Sequence, residues 1–343
     1  MSRRGRMASR ILDVAALQIA KAGWRRGIVV AGQFFRSFGI ALGAAGAMVP
    51  GLAMAGTGQP SPGEIGFQGS VTPIMDSIRA FHDGMLVWVA IGISLLVLAL
   101  ILVIIVRFNA RSNPTPRRFT HNTLLEIVWT ALPVIILIII AIPSFAVLTD
   151  QLTIPDGSRK YLGSNIFSFG SVDVPAPGLT IKATGNQWFW NYTYVDPGDN
   201  KAFDSNILSE QERLAQNPVQ PRLLAVDNML VVPVNTTVRV EVTSAPDGVI
   251  HAFAVPSFGI IIDAVPGRLN ETWFNARKEG VYYGECRELC GKDHAFMPIA
   301  VRVVSADLFK TWVDTLKSGG IDAANKTLPP LTTAEVTDTP AGA

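Results

Sequence analysis

Cysteine and histidine are scarce in this chain. Its 343 residues include only 2 Cys and 4 His. So few cysteines exclude a scaffold held together by several disulfides. No C-x-x-C-H occurs, which excludes covalently attached haem. There is no G-x-x-x-x-G-K-[ST] loop to cradle phosphates. There is no basic stripe either, so no nucleic-acid partner is expected. No internal repeat is present. Charge is also sparse, at 16% Asp, Glu, Lys and Arg, against about 25% in an ordinary soluble domain. What fills the chain instead is apolar: 49% of its residues are hydrophobic.

Two apolar runs account for much of that excess. Met85–Val106 and Ile127–Leu148 are 22 residues each, the second interrupted by Pro133 and Pro143. At about 1.5 Å per residue each reaches roughly 33 Å, enough for a hydrocarbon core of about 30 Å. They predict a transmembrane pair. The connecting segment, residues 107–126, carries Arg107, Arg111, Arg117 and Arg118, and its only acid is Glu126 at the far end. By the positive-inside rule that loop is cytoplasmic. An exported segment, residues 56–84, and the long domain after the pair then lie on the opposite side.

The N-terminus fits the same orientation. Residues 1–55 hold eight bases and one acid, Asp13, and end in Ala53-Met54-Ala55. A basic start, a short apolar stretch and an A-x-A pattern read as a bacterial signal peptide cut near Gly56. An uncleaved third anchor is the alternative reading. Beyond the membrane pair the balance is acidic, with 22 acids against 16 bases from Asp150 to Ala343. An acidic exported domain favours a basic partner.

From residue 149 the texture changes. "GLTIKATGNQWFWNYTYV", "NMLVVPVNTTVRVEVTSA", "GVIHAFAVPSFGI" and "PIAVRVVS" are rich in β-branched and aromatic residues and are punctuated by Pro, Gly, Asn and Asp. They predict an antiparallel sandwich or barrel over residues 149–304. Residues 305–343 then predict one short helix, with Ser305 as its cap and Gly319 as its stop, and a mobile Ala/Thr/Pro-rich tail from Ile321.

Both cysteines fall in one short stretch, "GECRELCGKDHAFM", from Gly284 to Met297. Cys286 and Cys290 are spaced closely enough for a disulfide. However, His294 and Met297 follow at once, and thiolate, imidazole and thioether together are the donor set that selects copper. Two cysteines at one site leave room for two metals with both sulfurs bridging. Such a site needs a second imidazole. His82 and His121 lie at the edges of the membrane segments, so only His251 is in the right compartment.

"GVIHAFAVPSFGIIIDAVPGR" followed by "GVYYGECRELCGKDHAFMPI" resembles subunit II of the haem–copper cytochrome c oxidases, of the mitochondrial and alphaproteobacterial aa3-like type. The likeness runs from about Pro73 to Trp312 and includes "LLEIVWTALPVIILIIIAIPS" and "GNQWFWNYTY". It implies a two-helix transmembrane hairpin followed by an all-β, cupredoxin-like Greek-key barrel carrying a dinuclear CuA centre. Cys286 and Cys290 would then be bridging thiolates, with His251 and His294 each on one copper. Met297 and the backbone carbonyl of Glu288 would be weak ligands. The Glu288 carboxylate would help bind magnesium (or manganese) where subunit I is met.

The same resemblance implies further roles. Trp188 would be where electrons arrive from cytochrome c, while Trp190, on the same face of a strand, would serve packing. Asp204, Asp227 and Asp247 would dock the donor. Three positions depart from the family pattern: Asn186 for a His, Thr193 for an acid, and Asp247 shifted by one residue. Glu126 would lie at the mouth of the K proton pathway, and Asp263 and Arg268 would contact subunit I. The implied function is electron transfer from cytochrome c to haem in subunit I, where O2 is reduced to water with proton pumping. Subunits I and III would be partners in a bacterial inner membrane, with both ends of the mature chain periplasmic. Complete copper ligands argue against a quinol oxidase. A membrane-tethered copper-delivery protein is the alternative from another class.

Overall fold

The computed structural model describes residues 58–335, apart from 62, 116–118, 168, 169 and 334. The expected signal peptide and cleavage point lie outside the described residues, as do Arg117 and Arg118.

The first long helix starts well before the apolar run does. Thr72 caps it, accepting from the Met75 N–H, and Pro73 occupies its first turn, where a missing N–H costs nothing. Helix α1 (Pro73–Phe81) passes through one π-helical turn, His82–Leu86, into α2 (Val87–Arg107). An apolar count begins at Met85 because α1 is amphipathic. Its Ile74, Met75 and Ser77 are buried, and the Thr72 hydroxyl donates to the Phe258 carbonyl at 2.7 Å. In contrast, α2 is apolar all round and none of its residues is buried by this chain, as suits a helix bathed in lipid or covered by neighbours.

Helix α3 (Thr123–Leu152) is capped by Asn122, which accepts from Leu125 N–H. Its 30 residues span roughly 45 Å, more than the bilayer core needs. The C-terminal turn therefore projects beyond the apolar zone and meets the β domain. There the buried Asp150 pairs with Arg159 at 2.8 Å and accepts from Leu162 N–H at 2.7 Å. The Asp150 carbonyl accepts from the indole of Trp273 at 3.0 Å. These contacts fasten the membrane helix to the sheets.

The short strands β1 (Lys160–Tyr161) and β2 (Val172–Asp173) form a small ladder beside this joint. Ten further strands form two sheets. In chain order they are β3 (Leu179–Asn186), β4 (Phe189–Asp196), β5 (Lys201–Ser205), β6 (Leu230–Pro233), β7 (Thr237–Ser244), β8 (His251–Val255), β9 (Ile260–Ala264), β10 (Asn270–Asn275), β11 (Gly280–Cys286) and β12 (Ile299–Val304). One sheet has the order β10-β7-β3-β4-β5 and the other β6-β12-β11-β8-β9. The β3–β7 and β12–β6 pairs are parallel and so need crossovers, as in a Greek key; the remaining pairs are antiparallel.

Strand β3 alternates buried and half-buried residues, as does most of β4, so one face of that sheet points inward. Trp190, Tyr192 and Tyr194 of β4 are fully buried. The Tyr194 hydroxyl donates to the Val231 carbonyl at 2.6 Å and accepts from its N–H at 2.9 Å, tying one sheet to β6 of the other. Strands β8 and β12 are buried along their whole length. The result is the two-sheet barrel behind a helical hairpin that the sequence implied.

The C-terminal region departs from expectation. Ser305 does cap a helix, but Gly319 does not stop it. Helix α4 (Ala306–Asn325) breaks at Gly320, where φ is 77° and ψ −178°, and then resumes. Nor is the chain loose from Ile321 to Leu331. Ala324 is fully buried, Leu328 packs on the core, Trp312 donates to the Asn325 side chain at 3.2 Å, and Arg302 donates to the Pro329 carbonyl at 2.8 Å. Small residues suggested mobility, yet they permit close packing, and the buried Arg302 needs the acceptor they bring.

Candidate metal centre

Five of the six donor-bearing residues foreseen at the centre lie on a single loop. Strand β11 ends at Cys286, and the chain loops out until β12 begins at Ile299. Within that loop a single helical turn, His294–Phe296, brings His294 back toward Cys290. The sixth residue, His251, is the first residue of β8, which pairs with β11 through Phe253 opposite Cys286. Pairing of these two strands thus brings His251 to the cysteines across 35 residues of sequence.

The donor atoms converge. Cys286 Sγ is 3.8 Å from Cys290 Sγ and 3.9 Å from His251 Nδ1. Cys290 Sγ is 3.5 Å from both His294 Nδ1 and Met297 Sδ. His251 Nδ1 is 3.2 Å from Met297 Sδ, and the Cys286 thiol donates to the Glu288 carbonyl at 3.3 Å. Both cysteines are free. Their sulfurs are far beyond a disulfide bond length of about 2.05 Å. His251, Cys286, Cys290 and Met297 are buried, and His294 is half-buried.

Burial makes this a demanding place for charge. It pushes the Cys290 thiol up to about 12, with the neighbouring Cys286 adding to the effect. Burial also lowers the pKa of His251, and the proximity of His294 lowers it further. A neutral His251 ring offers the lone pair a metal needs. Its Nδ1 faces the sulfurs, while the buried Nε2 has no hydrogen-bond partner among the described residues. Two thiols, two imidazoles, a thioether and a carbonyl oxygen around one largely buried pocket fit copper, and a metal cation would hold the thiols as thiolates.

Two tryptophans brace the loop. The sequence suggested that Trp188 and Trp190 share a strand face. In the structure Trp188 is in the turn between β3 and β4, and only Trp190 is in the strand. Trp188 donates its indole N–H to the Cys290 carbonyl at 3.0 Å. Trp190 donates to the Met297 carbonyl at 3.3 Å and also meets the His251 ring edge-on at 6.1 Å. Trp190 is packed in the core, as expected, and its indole also fixes the end of the donor loop, a contact that sequence reasoning did not foresee because its only signal was nearness to Trp188. Gly185 and Gly291 make room for these contacts. A Cβ on Gly185 would stand 2.9 Å from the His251 ring, and one on Gly291 2.8 Å from the Trp188 ring, where φ is also +123°.

The acids expected to dock a donor lie on strands and loops that end near the Trp188 turn. Strands β3, β5 and β7 all run toward the Trp188 turn, and β4 starts from it. Exposed Asp247 follows β7 on one side, beside Gly185, whose carbonyl accepts from Ala245 N–H at 3.0 Å. Exposed Asp204 is near the end of β5 on the other side, and accepts from Asn191 at 2.7 Å. Asp227 is held beside it by the Asn206 and Asn228 N–H groups at 2.8 and 2.7 Å. Asn325 of the tail reaches this cluster through Asn228 at 2.9 Å.

The remaining site residues stand apart. The Glu288 side chain is exposed on the loop, next to Leu289, which is 79% exposed. Asp263 and Arg268 are exposed on and just after β9, the edge strand that pairs with β8. Glu126 lies in the first turn of α3, where its Oε1 accepts from Asn122 N–H at 3.0 Å. That bond reaches back to the capping residue and supports the Asn122 cap.

Comparison with known proteins agrees with this geometry. The profile of "Cytochrome C oxidase subunit II, periplasmic domain" matches residues 179–304, and that of the "Cytochrome C oxidase subunit II, transmembrane domain" matches residues 60–147. "Probable cytochrome c oxidase subunit 2" of Rickettsia bellii is 44% identical over 270 residues, covering 79% of this chain and 90% of that protein. The chain belongs to the cytochrome c oxidase subunit II family. "Cytochrome c oxidase subunit 2" of Cereibacter sphaeroides is 38% identical, covering 82% of this chain and 91% of that protein. The crystal structure of the periplasmic domain of subunit II (CoxB) of Bradyrhizobium japonicum is 55% identical, covers 45% of this chain and 99% of that one, and has a TM-score of 0.38. As a subunit II, the chain is a membrane-anchored part of an oxidase, with a periplasmic cupredoxin-like domain of the kind that implies a copper centre.

Proposed function

We propose that this subunit takes electrons one at a time from cytochrome c and passes them to haem in subunit I. Dioxygen is reduced to water there, with proton pumping. The observation that carries this reading is the convergence of two thiols, two imidazoles, a thioether and a carbonyl oxygen in one buried pocket. His251, Cys286, Glu288 (by its carbonyl), Cys290, His294 and Met297 would hold two copper ions. Bound there, the copper pair supplies one-electron redox chemistry, its unpaired electron shared across both metals.

The chain's own residues do the rest. The barrel fixes the donors before and after each electron moves, which keeps reorganisation small. Trp188, half-buried and hydrogen-bonded to the Cys290 carbonyl, gives an aromatic path from the surface to the pocket. Asp204, Asp227 and Asp247 give the donor's basic face an acidic rim, which raises the association rate and makes it salt-dependent. Exposed Asp263 and Arg268, with exposed Ile261 and Leu269, give subunit I a mixed polar and apolar edge. The Glu288 carboxylate would bind magnesium at that contact, and Glu126 would admit protons on the cytoplasmic side. Subunit III completes the assembly. In this reading both ends of the mature chain are periplasmic.

Trp188→Phe tests the route. It keeps an aromatic ring but loses the indole N–H and its bond to Cys290. The expected result is slow electron input from cytochrome c with copper content intact. Input at the normal rate would remove Trp188 from the path.

A further inference from the structure

A cation stands against the Trp188 ring. Lys292, between Gly291 and Asp293 on the donor loop, holds its ammonium 5.4 Å from the centroid of the Trp188 ring. The same ammonium is 3.7 Å from Asp293 Oδ2, and the two side chains are 77% and 42% exposed. Gly291 brings the loop backbone flat against the indole, so the residue after it is delivered over Trp188 by the fold. Asp204 near the end of β5, with Asp227 held beside it by Asn206, and Asp247 after β7 come from strands on either side of the Trp188 turn.

We propose that Lys292 is a specificity-determining residue for the electron donor. Its ammonium stands beside Trp188 and Asp293, where a lysine from a basic donor face would otherwise gain both a cation–π contact and an acid partner. A donor must therefore displace Lys292 or avoid placing a cation there. The rim attracts a basic face, and Lys292 rejects one that is basic throughout. Such a pairing of attraction with a built-in repulsion is how specificity is set. The proposal rests on the reading of Trp188 and its acids as the docking face.

The test is binding, so copper loading does not enter it. The copper-free full chain is reconstituted in nanodiscs. Kd is measured for a strongly basic cytochrome c and for an acidic one, across a range of salt, with wild type, Lys292→Gln and Lys292→Arg. Removing the cation should tighten the basic donor about three- to five-fold at low salt, with the gain fading as salt screens it. The acidic donor should weaken, and Lys292→Arg should match wild type. Unchanged or weaker binding of the basic donor to Lys292→Gln would overturn the proposal. If the basic donor shows no saturable, salt-sensitive binding to wild type, the docking face itself is wrong, and the proposal falls with it.

Discussion

Trp190 donates its indole N–H to the backbone carbonyl of Met297, 3.3 Å away. This one bond ties β4 in the first sheet to the end of the donor loop, at a residue whose sulfur lies 3.2 Å from His251 Nδ1 and 3.5 Å from Cys290 Sγ. The indole also lies against the ring of His251. Trp190 therefore touches both the loop and the strand that supply the centre.

Trp190→Phe should leave the Met297 carbonyl buried and unpaired. The expected cost is about 1–3 kcal/mol in chemical denaturation of the copper-free chain. Met297 should also lose its fixed position, so copper should bind with a changed visible spectrum. A variant equal to wild type in both would show that the bond is incidental.

A second prediction concerns the joint between helix and barrel. Asp150→Ala leaves Arg159 without its carboxylate, though still bonded to Thr153 at 3.0 Å, and leaves Leu162 N–H without an acceptor. The unpaired Leu162 N–H sets the expected cost, about 1–3 kcal/mol, since the partly exposed Arg159 adds little. Faster proteolysis between Leu152 and Arg159 should accompany the loss. Unchanged stability and cleavage would mean that the helix is held by apolar contacts and the Trp273 bond to its backbone, without the Asp150 carboxylate.

Glu126 has a local duty that bears on its testing. Its carboxylate supports the α3 cap by accepting from Asn122 N–H, so Glu126→Ala removes that bond as well as a charge. Glu126→Gln keeps an acceptor oxygen and removes only the charge. Both variants should slow proton uptake in the assembled oxidase with copper content intact, and Glu126→Ala should also lose about 1 kcal/mol of stability. Normal turnover in Glu126→Gln would end the proton-pathway reading.

Much of this was legible in the residues themselves. The donor loop could be read by counting, because Cys286, Cys290, His294 and Met297 fall within one turn of chain, and only one histidine was left to join them. The membrane pair could be read from length and apolarity. The start of α1 could not, since Thr72 and Pro73 signal it through capping and not through hydropathy. Trp188 was misread as a strand residue because strand alternation carries no mark of where a hairpin turns. The role of Trp190 depends on a contact across 107 residues of sequence, which no local pattern encodes. The tail after Gly320 looked loose because Ala324 and Pro329 matter for what they fit against and accept from, not for their own propensities.

The proposed centre for two copper ions is built by His251, Cys286, Glu288, Cys290, His294 and Met297 together. Electron paramagnetic resonance of the purified full chain, loaded with copper, tests it most directly. The expected signal is a hyperfine pattern from one electron shared equally over two copper nuclei, lost in both Cys286→Ser and Cys290→Ser. A spectrum from a single copper nucleus, or a chain that binds no copper and carries a Cys286–Cys290 disulfide, would contradict it.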